Sequence, residues 1–351
     1  MTVPVPARRA VKGMPLYLPP KEGRLGKLRL DLNENTMGCS PAVRRALAGL
    51  SSKEIAMYPE YEAPTRRLAK FLGARASELL LTNGADDALR LVFDTFVDPG
   101  NAVLIVEPTF PMYRFYAELF AAKTIELRFD SAMQFPLAQT IAALRKGPRV
   151  LFMANPNNPT GTLVARPKLR RILDAATRTL VVIDEAYYEF SGLTVCPWIR
   201  RYKNLAVVRT FSKAAGLAGL RLGCLLAHAD VLALMKRAAT PFPVNAAVLA
   251  AAQVATRDRR SISRYVQEVR LSRRALERGL QFIGVQTFPS AANFVLADFG
   301  RRSPRLLKRL ESRGILLRDL SAAFGRAGFV RITVGTRAET RRLLRAIKEL
   351  W

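Results

Sequence analysis

Between residues 78 and 228 the chain alternates short apolar runs with amphipathic stretches, and this alternation restricts the fold more than any other feature. Seven runs stand out: ELLLT, NAVLIVEP, KTIELRF, RVLFMAN, TLVVIDE, LAVVRTF and LGCLLAH, ending at Thr82, Pro108, Phe129, Asn155, Glu185, Phe211 and His228. Runs of this length and apolarity suit strands covered on both faces. Stretches such as 86–97 and 166–177 suit the helices that connect parallel strands. The expectation is an α/β fold with a mostly parallel seven-stranded sheet between helices. After Pro243 the rhythm changes. A long helical region is expected to about Gly279, followed by strand-like NFVLADF and GFVRITVG on either side of a helix near 304–313. This second pattern makes a smaller α+β domain, 244–351, beside a large domain, 36–243.

Composition narrows the function classes. The chain has 351 residues, half of them apolar, enough for a large core and two domains. The uncharged stretch 240–256 is short for a bilayer span and holds Pro, Asn and Gln, so no membrane segment is expected. The N-terminal arginines lack an apolar segment behind them, which speaks against a secretory signal and for a cytoplasmic protein. Cys39, Cys196 and Cys224 are too scattered for a zinc site or a disulfide framework, and no metal is expected. The net charge of +28 draws anions, yet the basic residues are spread along the chain, with one denser stretch at 257–278, and no nucleic-acid-binding signature is present. Arg270, Arg274 and Arg278 repeat on one helical face and read as a solvated surface. Small anionic metabolites are the expected partners, with no nucleic acid and no membrane.

Polar residues gather directly after the strands, where open α/β sheets bind their ligands. NPNNPTG, 155–161, follows a buried run and is rich in turn formers; a plain turn accounts for it as well as a site does. TNGADDAL, 82–89, is a glycine-containing turn opening a helix, whose free amides suit a phosphate, although Asp86 as a mere helix cap explains it too. VVIDEAYYEF, 181–190, puts Asp184 at a strand end, and the absence of a GxxxxGK[ST] pattern removes a nucleotide hydrolase from consideration. Lys213 in TFSKAAGLAGLRLG, 210–223, follows the next strand, 29 residues beyond Asp184. A strand-end lysine is commonly a surface residue. Beside an acid at the same sheet edge it gains another meaning. A buried amine can form a Schiff base while the carboxylate pairs with a pyridinium nitrogen, the pairing that pyridoxal phosphate requires. Arg221, eight residues on, would then hold a phosphate.

These motifs, in this order and spacing, resemble those of the fold-type I pyridoxal-phosphate enzymes, the class I and II aminotransferases. LDLNEN at 30–35, YPE at 58–60, TNGADDAL, PSAANFVL at 289–296, GILLRD at 314–319 and VRITVGT at 330–336 are similar to the histidinol-phosphate aminotransferases among them. The resemblance covers nearly the whole chain. It implies transfer of an amino group from histidinol phosphate to 2-oxoglutarate by a ping-pong route, with pyridoxal 5′-phosphate as cofactor. It implies that Lys213 carries the cofactor and moves the substrate α-proton, that Asp184 meets the pyridine nitrogen, and that Asn158 and Tyr187 meet the phenolic oxygen. The Ala85 and Asp86 amides, Ser212 and Arg221 would hold the cofactor phosphate, and Phe110 would stack on the ring. Tyr58 would reach the neighbouring subunit's site, so a homodimer follows. Arg331 would bind the substrate α-carboxylate and Arg318 its distal phosphate, with Tyr17 and Asn33 as further substrate contacts. The segment 1–35 would join the small domain and cover the substrate.

Two departures from the family pattern bear on substrate identity. NENTMGCSP stands where the family often has NENPxGPSP, and the segment GMPLYLPPKEGRLGK differs from the common form. Two other outcomes keep the cofactor and change the reaction or substrate: a threonine-phosphate decarboxylase, or an aromatic amino-acid aminotransferase. A regulator on this fold is not expected, because the chain ahead of Leu30 is too short for a DNA-binding domain.

Overall fold

The computed structural model describes residues 5–351 except 19 and 21, so part of the expected N-terminal cover lies outside the described residues. All seven apolar runs form strands. In chain order the strands are β1 (Leu28–Leu30), β2 (Leu79–Asn83), β3 (Ala102–Glu107), β4 (Lys123–Arg128), β5 (Val150–Ala154) and β6 (Leu180–Asp184). They continue with β7 (Leu205–Thr210), β8 (Leu222–Ala227), β9 (Gln286–Phe288), β10 (Phe294–Asp298), β11 (Ile315–Asp319) and β12 (Phe329–Thr333). One sheet has the order β2-β8-β7-β6-β5-β3-β4, the other β1-β11-β12-β10-β9.

β6 shows why these segments read as unbroken apolar runs. All five of its residues are buried, with Val181 and Ile183 in one core layer and Leu180 and Val182 in the other. Helices cover both faces, so neither face is polar.

Strand direction sets up the site. β8 is antiparallel to both β7 and β2, while the other pairs of the large sheet are parallel. β2 therefore runs the same way as β3 to β7. The ends of β2, β3, β5, β6 and β7 open on one edge, and β8 begins there, directly after Arg221. Every polar cluster of the sequence lands at that edge.

The smaller sheet combines distant parts of the chain. β1 pairs in parallel with β11, so residues near the N-terminus complete a sheet otherwise made by residues after 285. Three-residue strands such as β1 and β9 are defined by their pairing partners and carry no periodic signal of their own. The single long helix expected after Pro243 is two helices, Ala246–Ala255 and Arg259–Phe282. Asp258 makes the break, because its carboxylate accepts from the Ser261 N–H at 3.1 Å and starts the second helix as its N-cap. This helix, with Ser303–Ser312 and Arg337–Leu350, covers one face of the small sheet through Leu276, Leu306, Leu310, Leu343 and Ile347. Among the described residues no helix is long and apolar enough to cross a membrane.

Candidate active site

Close backbone approaches shape the sheet edge before any side chain does. Gly84, at φ +79°, opens the helix Gly84–Phe96, which has no side-chain cap at its N-terminus. Its first amides are left free, and Ala85 and Asp86 line the cavity. Gly223 packs against this turn: a Cβ there would lie 2.2 Å from the Gly84 carbonyl carbon. Arg221, at φ +59°, lies over Gly84 and donates from Nη2 to Asp86 Oδ2 at 3.0 Å. Asp86 is no cap; the neighbouring Asp87 accepts from the Asn83 N–H at 2.9 Å. Free amides beside a guanidinium form an anion cradle.

The three asparagines of NPNNPTG have three tasks. Asn155 braces the turn, donating to the Val164 carbonyl at 3.1 Å and accepting from the Val164 N–H at 2.7 Å. Asn157 ties it to the loop after β3, accepting from the Thr109 hydroxyl at 2.7 Å and donating to the Pro108 carbonyl at 2.9 Å. Asn158 borders the cavity, where its Oδ1 accepts from Arg331 Nη1 at 2.5 Å. Gly161, at φ +77°, lets the turn touch the small domain: a Cβ would meet the Ser290 side chain at 2.5 Å, and its carbonyl accepts from the Ala291 N–H at 2.9 Å.

Asp184 ends β6 in a buried position. The Tyr113 hydroxyl and the Ala186 N–H each donate to its carboxylate at 2.9 Å. Burial outweighs both donors and pushes its pKa up to about 6. Lys213 Nζ donates to the Leu32 carbonyl at 3.0 Å. Burial, aided by the charges of Arg331 and Arg221, lowers its pKa to about 8. The Tyr187 ring lies 5.9 Å from this nitrogen, and its hydroxyl accepts from Asn33 Nδ2 at 2.9 Å. Ser212 accepts from the Thr210 hydroxyl at 3.0 Å, and Phe110 meets Tyr113 edge to face at 5.8 Å.

The small sheet supplies the opposite wall. Arg318 and Arg331 are register partners on β11 and β12, so they project from the same face, and both border a cavity of about 320 Å³ that Tyr17 also lines. Arg331 Nη2 donates to the Asp31 carbonyl at 2.6 Å, and burial lowers its pKa. Its Nε is buried without a partner. Asp31 is itself held by a buried ion pair with Arg24. Asn33, at φ +56°, takes Thr333 as partner through its backbone N–H at 2.9 Å and its Oδ1 at 3.1 Å. Asparagine is among the few non-glycine residues that adopt this backbone readily. Tyr58 is not brought to this cavity; it is 79% exposed and stacks on Phe242 at 4.3 Å.

The profile of a family described as aminotransferase class I and II matches residues 26–347. The chain belongs to this family. As a class I and II aminotransferase it works with pyridoxal 5′-phosphate on amino and keto acids. A histidinol-phosphate aminotransferase from Symbiobacterium thermophilum is 37% identical to this aminotransferase, over 97% of each chain. The solved histidinol-phosphate aminotransferase from Clostridium acetobutylicum shares the fold, with a TM-score of 0.86 at 23% identity over 92% of this chain and 98% of that one. The L-threonine-O-3-phosphate decarboxylase from Porphyromonas gingivalis also shares it, with a TM-score of 0.81 at 25% identity over 92% and 98% of the two chains.

Sequence reasoning misses several residues of the aminotransferase site. Tyr113 is part of PTFPMY, yet nothing local marks it as the partner of a carboxylate 71 residues later. The Leu32 carbonyl and the Arg24–Asp31 pair had no signal either, because a backbone acceptor and a two-residue ion pair look like any other part of a loop.

Proposed function

We propose that this aminotransferase transfers the amino group of histidinol phosphate to 2-oxoglutarate, in histidine biosynthesis and in the cytoplasm, as a homodimer. The observation that carries the proposal is the arginine pair: two guanidiniums side by side on one wall of a cavity whose other wall holds Lys213 and Asp184. Together the two forks suit an anion beside the reacting carbon: the phosphate of histidinol phosphate in one half-reaction and the carboxylates of 2-oxoglutarate in the other. The names of the curated relatives, at 33–37% identity, support this substrate over the decarboxylase and aromatic alternatives.

The residues present fit pyridoxal 5′-phosphate. The uncapped helix start and Arg221 make a phosphate cradle, and a lysine of lowered pKa stands ready as a nucleophile. Bound there, the cofactor would supply an electron sink for the electron pair left on the substrate α-carbon. Lys213 would hold it covalently and carry the α-proton on Nζ. Asp184 would keep the ring nitrogen protonated, the pyridinium giving its carboxylate the counter-charge that burial otherwise denies it. Asn158 and Tyr187 would face the phenolic oxygen, with Asn33 orienting Tyr187. Ala85, Asp86, Ser212 and Arg221 would surround the phosphate, and Phe110 would cover the ring. Arg331, Asn33 and Tyr17 would hold the reacting end of the substrate.

Tyr58, exposed on its own protomer, would complete the neighbour's site. The two sheets support a division into 36–243 and 244–351, with the segment up to 35 joining the small domain through β1. The test is a comparison of kcat/KM for histidinol phosphate, histidinol and phenylalanine with 2-oxoglutarate as acceptor. Preference for phenylalanine would replace this reading with the aromatic one, and release of CO2 in place of glutamate would replace it with the decarboxylase.

A further inference from the structure

The densest basic stretch of the sequence, 257–278, does not stand alone in the fold. The helices Arg259–Phe282, Ser303–Ser312 and Arg337–Leu350 form one outer layer over the small sheet. Six of the seven arginines of the first helix are exposed, as are all three cations of the second and all five of the third. Against them the same helices expose two carboxylates, Glu311 and Glu349. Both are already engaged, Glu311 by Lys27 at 3.9 Å and Glu349 by Arg313 at 2.6 Å. Of the exposed cations on the three helices, Arg337 has an ion-pair partner, Glu268, at 3.1 Å. The others have none among the described residues. Even with the half-buried Glu268, Glu277 and Glu339 on the same helices, cations far outnumber carboxylates, and a layer of this kind has a strong positive potential.

From this layer we infer a docking surface for the phosphate backbone of a nucleic acid, bound without regard to base sequence. Three observations favour this partner. Nearly all the cations are arginines, whose planar forks match phosphate oxygens in pairs. Arg270, Arg274 and Arg278 form a row with a step of about 6 Å along one helix face, the arrangement needed to follow an extended anion rather than a point charge. The exposed face has two large apolar side chains, Leu271 and Phe282, too few for the continuous apolar stripe that a bilayer-binding helix inserts. The layer also lies on the far side of the small sheet from the cavity. Val330 and Ile332 point into the core beneath the helices, and Arg331 between them points to the cavity. A bound polyanion leaves the site open.

The test is binding of the holoenzyme to a random-sequence DNA duplex and to a single-stranded RNA of equal length, across a salt series. At 6 to 10 phosphate contacts, affinity for the duplex falls about 10³- to 10⁵-fold between 50 and 200 mM salt. The triple variant R270E, R274E, R278E should weaken binding at 50 mM salt by at least about 100-fold and lower the salt slope by about 3. The triple variant R166E, K168E, R171E, on an exposed helix of the large domain, removes the same charge and should change binding by less than about fivefold. If the first triple variant does not fold, R341E with R345E on the C-terminal helix takes its place. Equal weakening by both triples would reduce the effect to net charge and overturn the docking surface. So would the absence of binding at 150 mM salt, or equally tight, equally salt-sensitive binding to phosphatidylglycerol vesicles.

Discussion

Arg318 on β11 lies directly opposite Arg331 on β12, and both face the cavity that contains Lys213. Two like charges held on adjacent strands repel one another, and burial of Arg331 adds to the cost. Such a pair is relieved when anionic groups arrive. A charge-assisted contact is worth about 1.5 to 3 kcal/mol. Arg318→Ala should therefore lower kcat/KM for histidinol phosphate by about tenfold to a few hundredfold, and barely alter it for substrates without phosphate. Equal losses for both classes would assign Arg318 to general packing.

Lys213→Ala should abolish transamination, and borohydride should fix the cofactor to Lys213 in the wild type. The pH dependence is specific. The neutral amine is the nucleophile, and burial lowers the pKa of Lys213 to about 8. The rate at which the stripped protein takes up cofactor covalently should rise with pH, reach half its limit near 8 and then level off. A rate that keeps climbing toward the ordinary lysine pKa would show that the amine is solvated.

Asp184→Asn should leave cofactor binding in place and cost several orders of magnitude in rate, each factor of ten being about 1.4 kcal/mol of barrier. Tyr113→Phe gives a graded version. It removes one of two donors to a buried carboxylate, which raises the pKa of Asp184 above about 6. The rate at neutral pH should drop about tenfold, with the loss shrinking as pH rises and Asp184 ionises again. A drop independent of pH would contradict the assignment.

Gly223→Ala should damage the phosphate cradle without touching any charge. Its Cβ would collide with backbone at Gly84 and Ala85, which cannot rotate away as a side chain can. Cofactor affinity measured by equilibrium dialysis should fall at least tenfold, roughly 1.4 kcal/mol. Retention of full affinity would show that the turn can shift freely.

Tyr58→Ala should lower activity only in the assembled protein if Tyr58 completes a neighbour's site. Sedimentation should find a dimer at assay concentrations. A fully active monomer would remove Tyr58 from the site.

The local sequence determined the strands of the large sheet and the residues at their ends. A buried parallel strand must be apolar on both faces, and the ligand must lie beyond its carboxyl end, so Asp184, Asn158 and Lys213 were legible in place. Tertiary structure alone decided the rest. The pairing of Arg318 with Arg331 depends on β11–β12 register, the Asn33–Thr333 contact joins residues 300 positions apart, and β1 is a strand only because β11 accepts it. The basic layer exists because three amphipathic helices turn their apolar stripes to one sheet and so bring their outer faces together. Each of these depends on distance through space. A chain read in order records what each segment prefers, and the folded core decides which segments meet.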